Sequence, residues 1–303
     1  NCFLKKNYVR NDVADYDAVS CYPSAMDEMG GILCGKAKLL KEEECNLNFL
    51  NNCDGYFIKV LCKNNPKINR PFPLLSQMNE NGIRNYTNET NIKTYYLDKV
   101  GLEDAMNFQG LEFDILCGYY YNEGRNMILK DTINLLFNER LKKKEEGNGI
   151  QSVYKLFMNS AYGKSMVKPI DTECEIVEKS KWSKYLSKNY NWIREFKQIS
   201  SKLMFVKRTK SISDNFNNCY FGVEVLSMAK RIMNRVMCLA NDLDIEIYYT
   251  DTDSIHIEYN KVELLEKKYS EKYNKKLNGK KLGQFHIDFD LKDDITDEEA
   301  ISS

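Results

Sequence analysis

Across residues 219–241 apolar side chains recur at helical spacing. Val223, Leu226, Met233, Val236 and Met237 fall on one broad face, which predicts a long helix underlying a sheet. The spacing then changes. Ile245, Ile247 and Tyr249 alternate with polar residues, and Ile255 and Ile257 alternate again, so YYTDTDSIHI (residues 248–257) reads as two short strands meeting at a tight turn. Residues 12–29 begin like a strand and end like a helix, with Pro23 suited to the first helical turn, where its missing N–H is no loss. Between residues 54 and 121 the strand-like runs GYFIKVLCK, IKTYYLDKV and FDILCGYYY are separated by turns rich in Asn, Pro and Gly, with a short helix near 102–108. Met127, Ile128, Leu135, Leu136 and Leu141 mark a helix over 126–146, GNG stops it, and a second helix runs over 150–162. Together these predict an antiparallel helical hairpin with arms of about 20 to 30 Å. Its second arm turns Val153, Leu156, Phe157 and Ser160 or Ala161 to one side, as the apolar face. Residues 262–273 read as an amphipathic helix, and KKLGQFHIDFD returns as a strand. The class is α+β with antiparallel sheets, in one body with insertions.

Composition bounds this picture without redirecting it. A chain of 303 residues, 43% hydrophobic, buries a substantial core in one large or two modest domains. Ten cysteines show no C-x-x-C pair and no zinc-ribbon spacing, which is the usage of reduced thiols in an intracellular protein. No apolar run approaches the length of a membrane span and no signal peptide is visible, so a cytosol-like, reducing compartment is expected and no membrane partner. The first residue is Asn, so the chain reads as an internal piece of a longer open reading frame. Lys and Arg (44) balance Asp and Glu (44), and the surplus of positive charge common in nucleic-acid binders is absent overall. It is present locally. Between Lys179 and Lys210 ten Lys or Arg face a single acid, Glu195, with Trp182, Tyr185, Tyr190, Trp192 and Phe196 among them. That mixture suits a nucleic-acid groove, and it is equally the composition of a solvated Lys-rich insertion. Residues 288–299 reverse the sign, with seven acids against Lys292.

The candidate chemistry lies in three places. Asp251 and Asp253 are two apart, which in extended backbone sends both carboxylates to one face, where a divalent cation with hard ligands, Mg²⁺ or Mn²⁺, would relieve their repulsion. An Asp-rich surface turn would give the same pattern. Asp17 falls at the end of the first strand, before a strand-to-helix turn whose N–H groups favour phosphate, and Asp12 and Asp15 are equally placed as ligands by spacing alone. On the helical hairpin Lys155, Asn159 and Tyr162 stand at i, i+4 and i+7, and Arg140 and Lys144 at i and i+4. A row of cations facing an acidic hairpin suits a polyphosphate between them; an amphipathic helix with a wet basic side has the same spacing.

D-x-x-S-x-Y-P-S at Asp17–Ser24, K-x-x-x-N-S-x-Y-G at Lys155–Gly163 and Y-x-D-T-D-S at Tyr249–Ser254 resemble motifs A, B and C of the family B DNA polymerases, in the order and structural contexts of that family. The short helical hairpin, the long stretch between the first two motifs and the extra sequence after the second are similar to its protein-primed branch, typified by phages, adenoviruses and linear plasmids. The resemblance implies an antiparallel-sheet palm in residues 1–125, carrying a terminal-protein-region-like insertion, and in 219–303; a two-helix fingers hairpin in 126–164; and a second, basic insertion in 165–218. It implies two Mg²⁺ ions, with Mn²⁺ as substitute, at Asp17, Asp251 and Asp253, and nucleotide contacts from Tyr22, Arg140, Lys144, Lys155, Asn159 and Tyr162. The implied partners are DNA template and primer, dNTPs and a terminal-protein primer, in replication of a viral, linear-plasmid or mitochondrial-plasmid DNA. The family's exonuclease domain and thumb are not in this chain, and no T-x-x-G motif can be placed in Thr209–Gly222. The competing readings are a metal-dependent nuclease, which does not need the Lys155 helix, and a catalytically incomplete, DNA-binding replication scaffold. Adjacent aspartates typical of reverse transcriptases and RNA polymerases are interrupted here by Thr252.

Overall fold

Alternation in VADYDA produces a strand with two different sides. Ala14, Tyr16 and Ala18 are at most 2% exposed, whereas Asp15 and Asp17 project from the opposite face. This strand, β1 (Val13–Ala18), is central to the part of the protein that carries the candidate site. The computed structural model describes residues 13–167, 171–210 and 218–290. Two units are present, Asn1–Asn159 with Val223–Ser303, and Ser160–Gly222.

After β1 come α1 (Cys21–Glu28), β2 (Gly55–Cys62), β3 (Thr94–Asp98), α2 (Lys99–Gln109), β4 (Phe113–Tyr121), α3 (Ile128–Glu145) and α4 (Gln151–Ser165). The second unit holds β5 (Thr172–Glu178), α5 (Trp182–Asn189), β6 (Ile193–Gln198) and β7 (Leu203–Thr209). The chain continues with α6 (Cys219–Asp242), β8 (Ile247–Asp251), β9 (Ser254–Glu258), α7 (Val262–Tyr273) and β10 (Phe285–Asp290).

One sheet of the first unit has the order β8-β9-β1-β10, every neighbour antiparallel. Its buried face rests on α7, where the Tyr16 hydroxyl donates to Glu266 Oε1 at 2.7 Å. A second sheet pairs β2 with β3 and with β4, and its inner face (Tyr56, Ile58, Val60, Tyr95) closes on Leu102 and Ala105 of α2. Helix α6 is held to α2 by polar bonds: Arg231 donates to Asp104 at 2.6 Å, to Glu103 at 2.8 Å and to the Val100 carbonyl at 2.9 Å.

Asp98 caps α2, accepting from Gly101 N–H at 3.0 Å and from the Ser227 hydroxyl at 2.8 Å, both on Oδ1. Its buried Oδ2 has no hydrogen-bond partner, and burial pushes the carboxyl up to about 6. A carboxyl whose folded pKa lies above its unfolded value near 3.9 is stabilising only while protonated, so stability falls as pH rises from about 4 to about 6 and is level above that. Asp98→Asn keeps the cap acceptor and removes the charge. Urea unfolding at pH 7 is expected to show a gain of about 1–2 kcal/mol that disappears by about pH 4; an equal gain at both pH values would contradict this assignment.

In the second unit the order β5-β7-β6 gives a three-stranded sheet. Trp182 lies against Tyr185 and Phe196, with ring centroids 6.1 and 5.2 Å apart, and Arg208 joins Glu173 and Glu175 at 2.6 and 2.8 Å. Not all of the basic run is therefore free charge. Tyr190 and Trp192 remain 72% and 53% exposed.

Several expectations change. On α4 the buried apolar residue is Met158, fully covered, while Val153, Leu156 and Phe157 are 43%, 65% and 61% exposed. On α3 Ile133 and Phe137 are buried, and Met127, Ile128 and Leu135 are exposed. Helical spacing fixes which residues share a side, but which side the rest of the chain covers is a tertiary matter. Likewise α6 buries Val225, Met228, Ile232, Met233, Val236 and Leu239, whereas Val223 is exposed. The alternation in β8 is broken by a register shift between Ile247 and Tyr249, so Tyr248 and Thr250 are buried and Tyr249 faces out. The acidic stretch from residue 291 onward lies outside the described residues, as does Asp12.

Candidate active site

The turn of the β8–β9 hairpin is Thr252-Asp253, with Asp251 paired to Ser254 across it. Thr252 has φ 46, the left-handed conformation that costs a β-branched residue on the order of 1–3 kcal/mol. The aspartates are thus arranged by a tight turn, and the expectation of extended backbone between them does not hold. Asp251 is exposed at the strand end, where its Oδ1 accepts from the Thr252 hydroxyl at 3.2 Å. Asp253 is half-buried. Burial raises its pKa, repulsion from Asp251 adds to the rise, and Lys155 acts the other way.

Register brings Asp17 to the same place. It pairs with Ser254, and Ala18 N–H donates to the Asp253 carbonyl at 2.9 Å, so both acids sit at adjacent strand ends. Cys21 lies beside the two of them; burial and then the charges of Asp253 and Asp17 push its thiol up to about 12. Asp15 is a poorer candidate, because it is 8% exposed and its carboxylate lies 3.3 Å from His256 Nε2.

Asp17 and Asp253 open into a cleft of about 940 Å³ whose other lining includes Tyr22, Arg140, Lys144, Lys155 and Asn159. The β1–α1 turn is stiffly held. Ser20 has φ 50, its hydroxyl accepts from Arg140 Nη1 at 2.9 Å, and the Ser24 hydroxyl donates to the Val19 carbonyl at 2.6 Å. Helix α3 gives the cleft Arg140 and Lys144 together with one acid, Glu145. Lys142 and Lys143 are neutralised by Glu139 and Glu146 at 2.6 and 2.8 Å, whereas Lys144 and, on α4, Lys155 make no ion pair among the described residues. Such a cation keeps its field for a ligand.

Seven of the nine site residues expected from sequence therefore line one cleft: Asp17, Tyr22, Arg140, Lys144, Lys155, Asn159 and Asp253. Asp251 does not line it, and Tyr162 is half-buried on the part of α4 that belongs to the second unit. Sequence reading missed Lys280 and His286, which also line the cleft. His286 is the cross-strand partner of Asp17, a relation that only the β1–β10 register reveals. No group of three Cys, His, Asp or Glu among the described residues converges as a closed metal cage. Two carboxylates at the rim of a cationic cleft fit Mg²⁺ nevertheless, since this ion is commonly held by one or two carboxylates plus substrate phosphates and water.

Asp17 and Asp253 on the sheet wall face Arg140, Lys144 and Lys155 on the helical wall, with Glu145 the one acid on that side, a distribution of charge that complements a polyphosphate with its counter-ions. The chain matches the family of type B DNA polymerases, organellar and viral, over residues 2–272, and belongs to it. It is 24% identical over 263 residues to a DNA polymerase of Kluyveromyces lactis, covering 84% of this chain and 25% of that protein. A DNA polymerase of Acidianus bottle-shaped virus is 43% identical over 53 residues, covering 16% of this chain and 8% of that protein. Phi29 DNA polymerase has a similar fold, with TM-score 0.56 and 18% identity over 91% of this chain and 43% of that one. Phi29 DNA polymerase complexed with primer-template DNA and incoming nucleotide substrates gives TM-score 0.54 and 17% identity over 95% of this chain and 45% of that one. The chain thus spans a quarter of the Kluyveromyces lactis polymerase and under half of the phi29 enzyme. No described helix is long and apolar enough to cross a membrane.

Proposed function

We propose that this chain is the nucleotidyl-transfer core of a DNA-directed DNA polymerase, with palm in residues 1–125 and 219–303, fingers in 126–164 and a basic insertion in 165–218. The observation that carries this reading is the cleft: Asp17 and Asp253 on adjacent strand ends, faced by Arg140, Lys144 and Lys155. Asp17 and Asp253, with Asp251 on the same hairpin as Asp253, would hold two Mg²⁺ ions or Mn²⁺ in their place, which would supply Lewis-acid charge at the attacking hydroxyl and the leaving pyrophosphate. Arg140, Lys144, Lys155 and Asn159 bind and orient the triphosphate, and no side-chain nucleophile is needed, because phosphoryl transfer gains chiefly from positioning and charge neutralisation. Tyr22 lies under the sugar and crowds a ribose 2′-hydroxyl.

The partners in this reading are a DNA template, a primer and dNTPs, the ligands of the phi29 complex that shares the fold. The short hairpin and the insertion after it favour the protein-primed branch, in which a terminal protein's hydroxyl is the first acceptor and the same residues serve both acceptors. The replicated element is then viral, a linear plasmid or a mitochondrial plasmid. The test is extension of a primed template by the polymerase that contains this chain. Incorporation is expected to require Mg²⁺ or Mn²⁺ and to favour dNTPs over rNTPs, a preference that Tyr22→Val relaxes. Metal-independent incorporation, or an unchanged rNTP/dNTP ratio in that variant, would count against these assignments.

A further inference from the structure

The segment between α7 and β10 is built more firmly than a connection requires. Phe285 N–H donates to the Leu277 carbonyl and Gly279 N–H to the Phe285 carbonyl, both at 2.8 Å, while Lys281 N–H donates to Gln284 Oε1 at 2.9 Å. Leu277 and Phe285 are at most 1% exposed. Two further bonds tie the segment to the β1–α1 turn. Gly283 N–H donates to the Ser24 hydroxyl at 2.8 Å, and Val19 N–H donates to the Gln284 carbonyl at 2.9 Å. Gly283 has φ 78, which a side chain would resist. The loop is therefore locked to the turn that positions Asp17, and Lys280 stands on it at the wall of the cleft.

Lys280 makes no ion pair among the described residues, so its charge is available. It also comes from a different wall. Arg140, Lys144 and Lys155 belong to helices α3 and α4, whereas Lys280 precedes β10, the strand beside Asp17 on the side away from the hairpin. In-line transfer places the attacking hydroxyl and the leaving pyrophosphate on opposite sides of the reacting phosphorus. If the helical cations take the triphosphate, a cation on the sheet wall is left for the strand that carries the nucleophile.

We infer that Lys280 is a primer-strand residue: its ammonium neutralises a backbone phosphate next to the primer 3′ end and positions that end against Asp17 and Asp253. This rests on the polymerase reading. Lysine serves such a contact as a point charge, without the bidentate geometry of arginine.

The measurement is primer–template affinity by fluorescence anisotropy across a salt series, paired with steady-state dNTP kinetics, in the polymerase that contains this chain. Lys280→Ala is expected to weaken primer–template binding about threefold to tenfold at low salt and to lower the salt slope by about one phosphate contact, with KM for dNTP unchanged. Lys280→Arg should restore most of the affinity. Lys281→Ala, which removes the exposed neighbouring charge outside the cleft lining, should change neither quantity. A rise in KM for dNTP with unaltered primer affinity, or an equal loss in Lys281→Ala, would overturn the inference while leaving the polymerase reading intact. A wild-type protein that neither binds nor extends a primed template would overturn both.

Discussion

Asp253→Asn is expected to lower single-turnover dNMP incorporation by at least about three orders of magnitude, on the order of 4 kcal/mol of transition-state stabilisation, without loss of folding stability. The two halves of this expectation have one cause. Asp253 is half-buried at the turn of a hairpin, and both burial and the neighbouring Asp251 hold its pKa up, so its negative charge is a burden on the fold when nothing cationic is bound. Removing the charge relieves repulsion between Asp253 and Asp251 and leaves Lys155 without its near carboxylate, a trade of small net effect at a half-exposed site. On the proposed reading, the same charge is what the sheet wall would offer in turnover to the ions that accompany a triphosphate. A residue of purely structural importance would behave in the opposite way, losing stability first and rate only as a result. Thermal melts and primer–template affinity measured beside incorporation separate the cases: near-normal melting and DNA binding with incorporation gone is the expected pattern. Incorporation within tenfold of wild type would remove Asp253 from the chemistry. Asp17→Asn should follow the same pattern, since it lies on the adjacent strand end and opens into the same cleft.

How much of this was legible beforehand follows from which kind of periodicity carries each feature. The hairpin, the helix before it and the strand-to-helix turn at Pro23 appear where local pattern placed them, because their signals are short-range: alternation, helical spacing, a residue that suits one turn. Asp17 and Asp253 are 236 positions apart and meet only through the pairing of β1 with β9, which no spacing rule supplies. Resemblance to a motif order is what brings them together from sequence. Lys280 and His286 had neither aid. They belong to no quoted motif, and the β1–β10 register and the bonds of the 277–285 loop are what bring them to the cleft. Which residues of α4 are covered is set by tertiary contact for a related reason. Val153, Leu156 and Phe157 share a side by spacing, and the fold buries Met158 while leaving those three largely in solvent. At β8 the failure was one of register: a single irregularity after Ile247 exchanges the inward and outward residues that follow.

Arg70→Met is expected to cost about 3–5 kcal/mol of folding stability, at a position remote from the cleft. Arg70 lies in the long connection between β2 and β3, and its side chain is 2% exposed. Its Nε and Nη2 donate to the Phe108 carbonyl, both at 3.2 Å, and its Nη1 donates to the Cys238 carbonyl at 3.1 Å, Asn241 Oδ1 at 2.8 Å and Asp242 Oδ1 at 2.6 Å. Phe108 ends α2 and Cys238–Asp242 ends α6, so one buried cation satisfies acceptors at the C-terminal ends of two helices, where the backbone dipoles favour positive charge. Methionine fills much of the volume and supplies none of the donors, which strands these acceptors in the interior. Lysine keeps the charge but lacks the planar fork, so Arg70→Lys should recover less than half of the loss. Asp242→Asn should cost only about 1 kcal/mol, because that carboxylate is 35% exposed and is shared with Lys272 at 3.4 Å. Because α6 runs into β8 through Leu243–Ile245, a loosened α6 end reaches the hairpin as well. Urea unfolding should show a lower midpoint at an unchanged m value, and incorporation at low temperature should fall far less than in Asp253→Asn. A midpoint equal to wild type would mean that the two helix ends find other donors, and Arg70 would then not be what holds them.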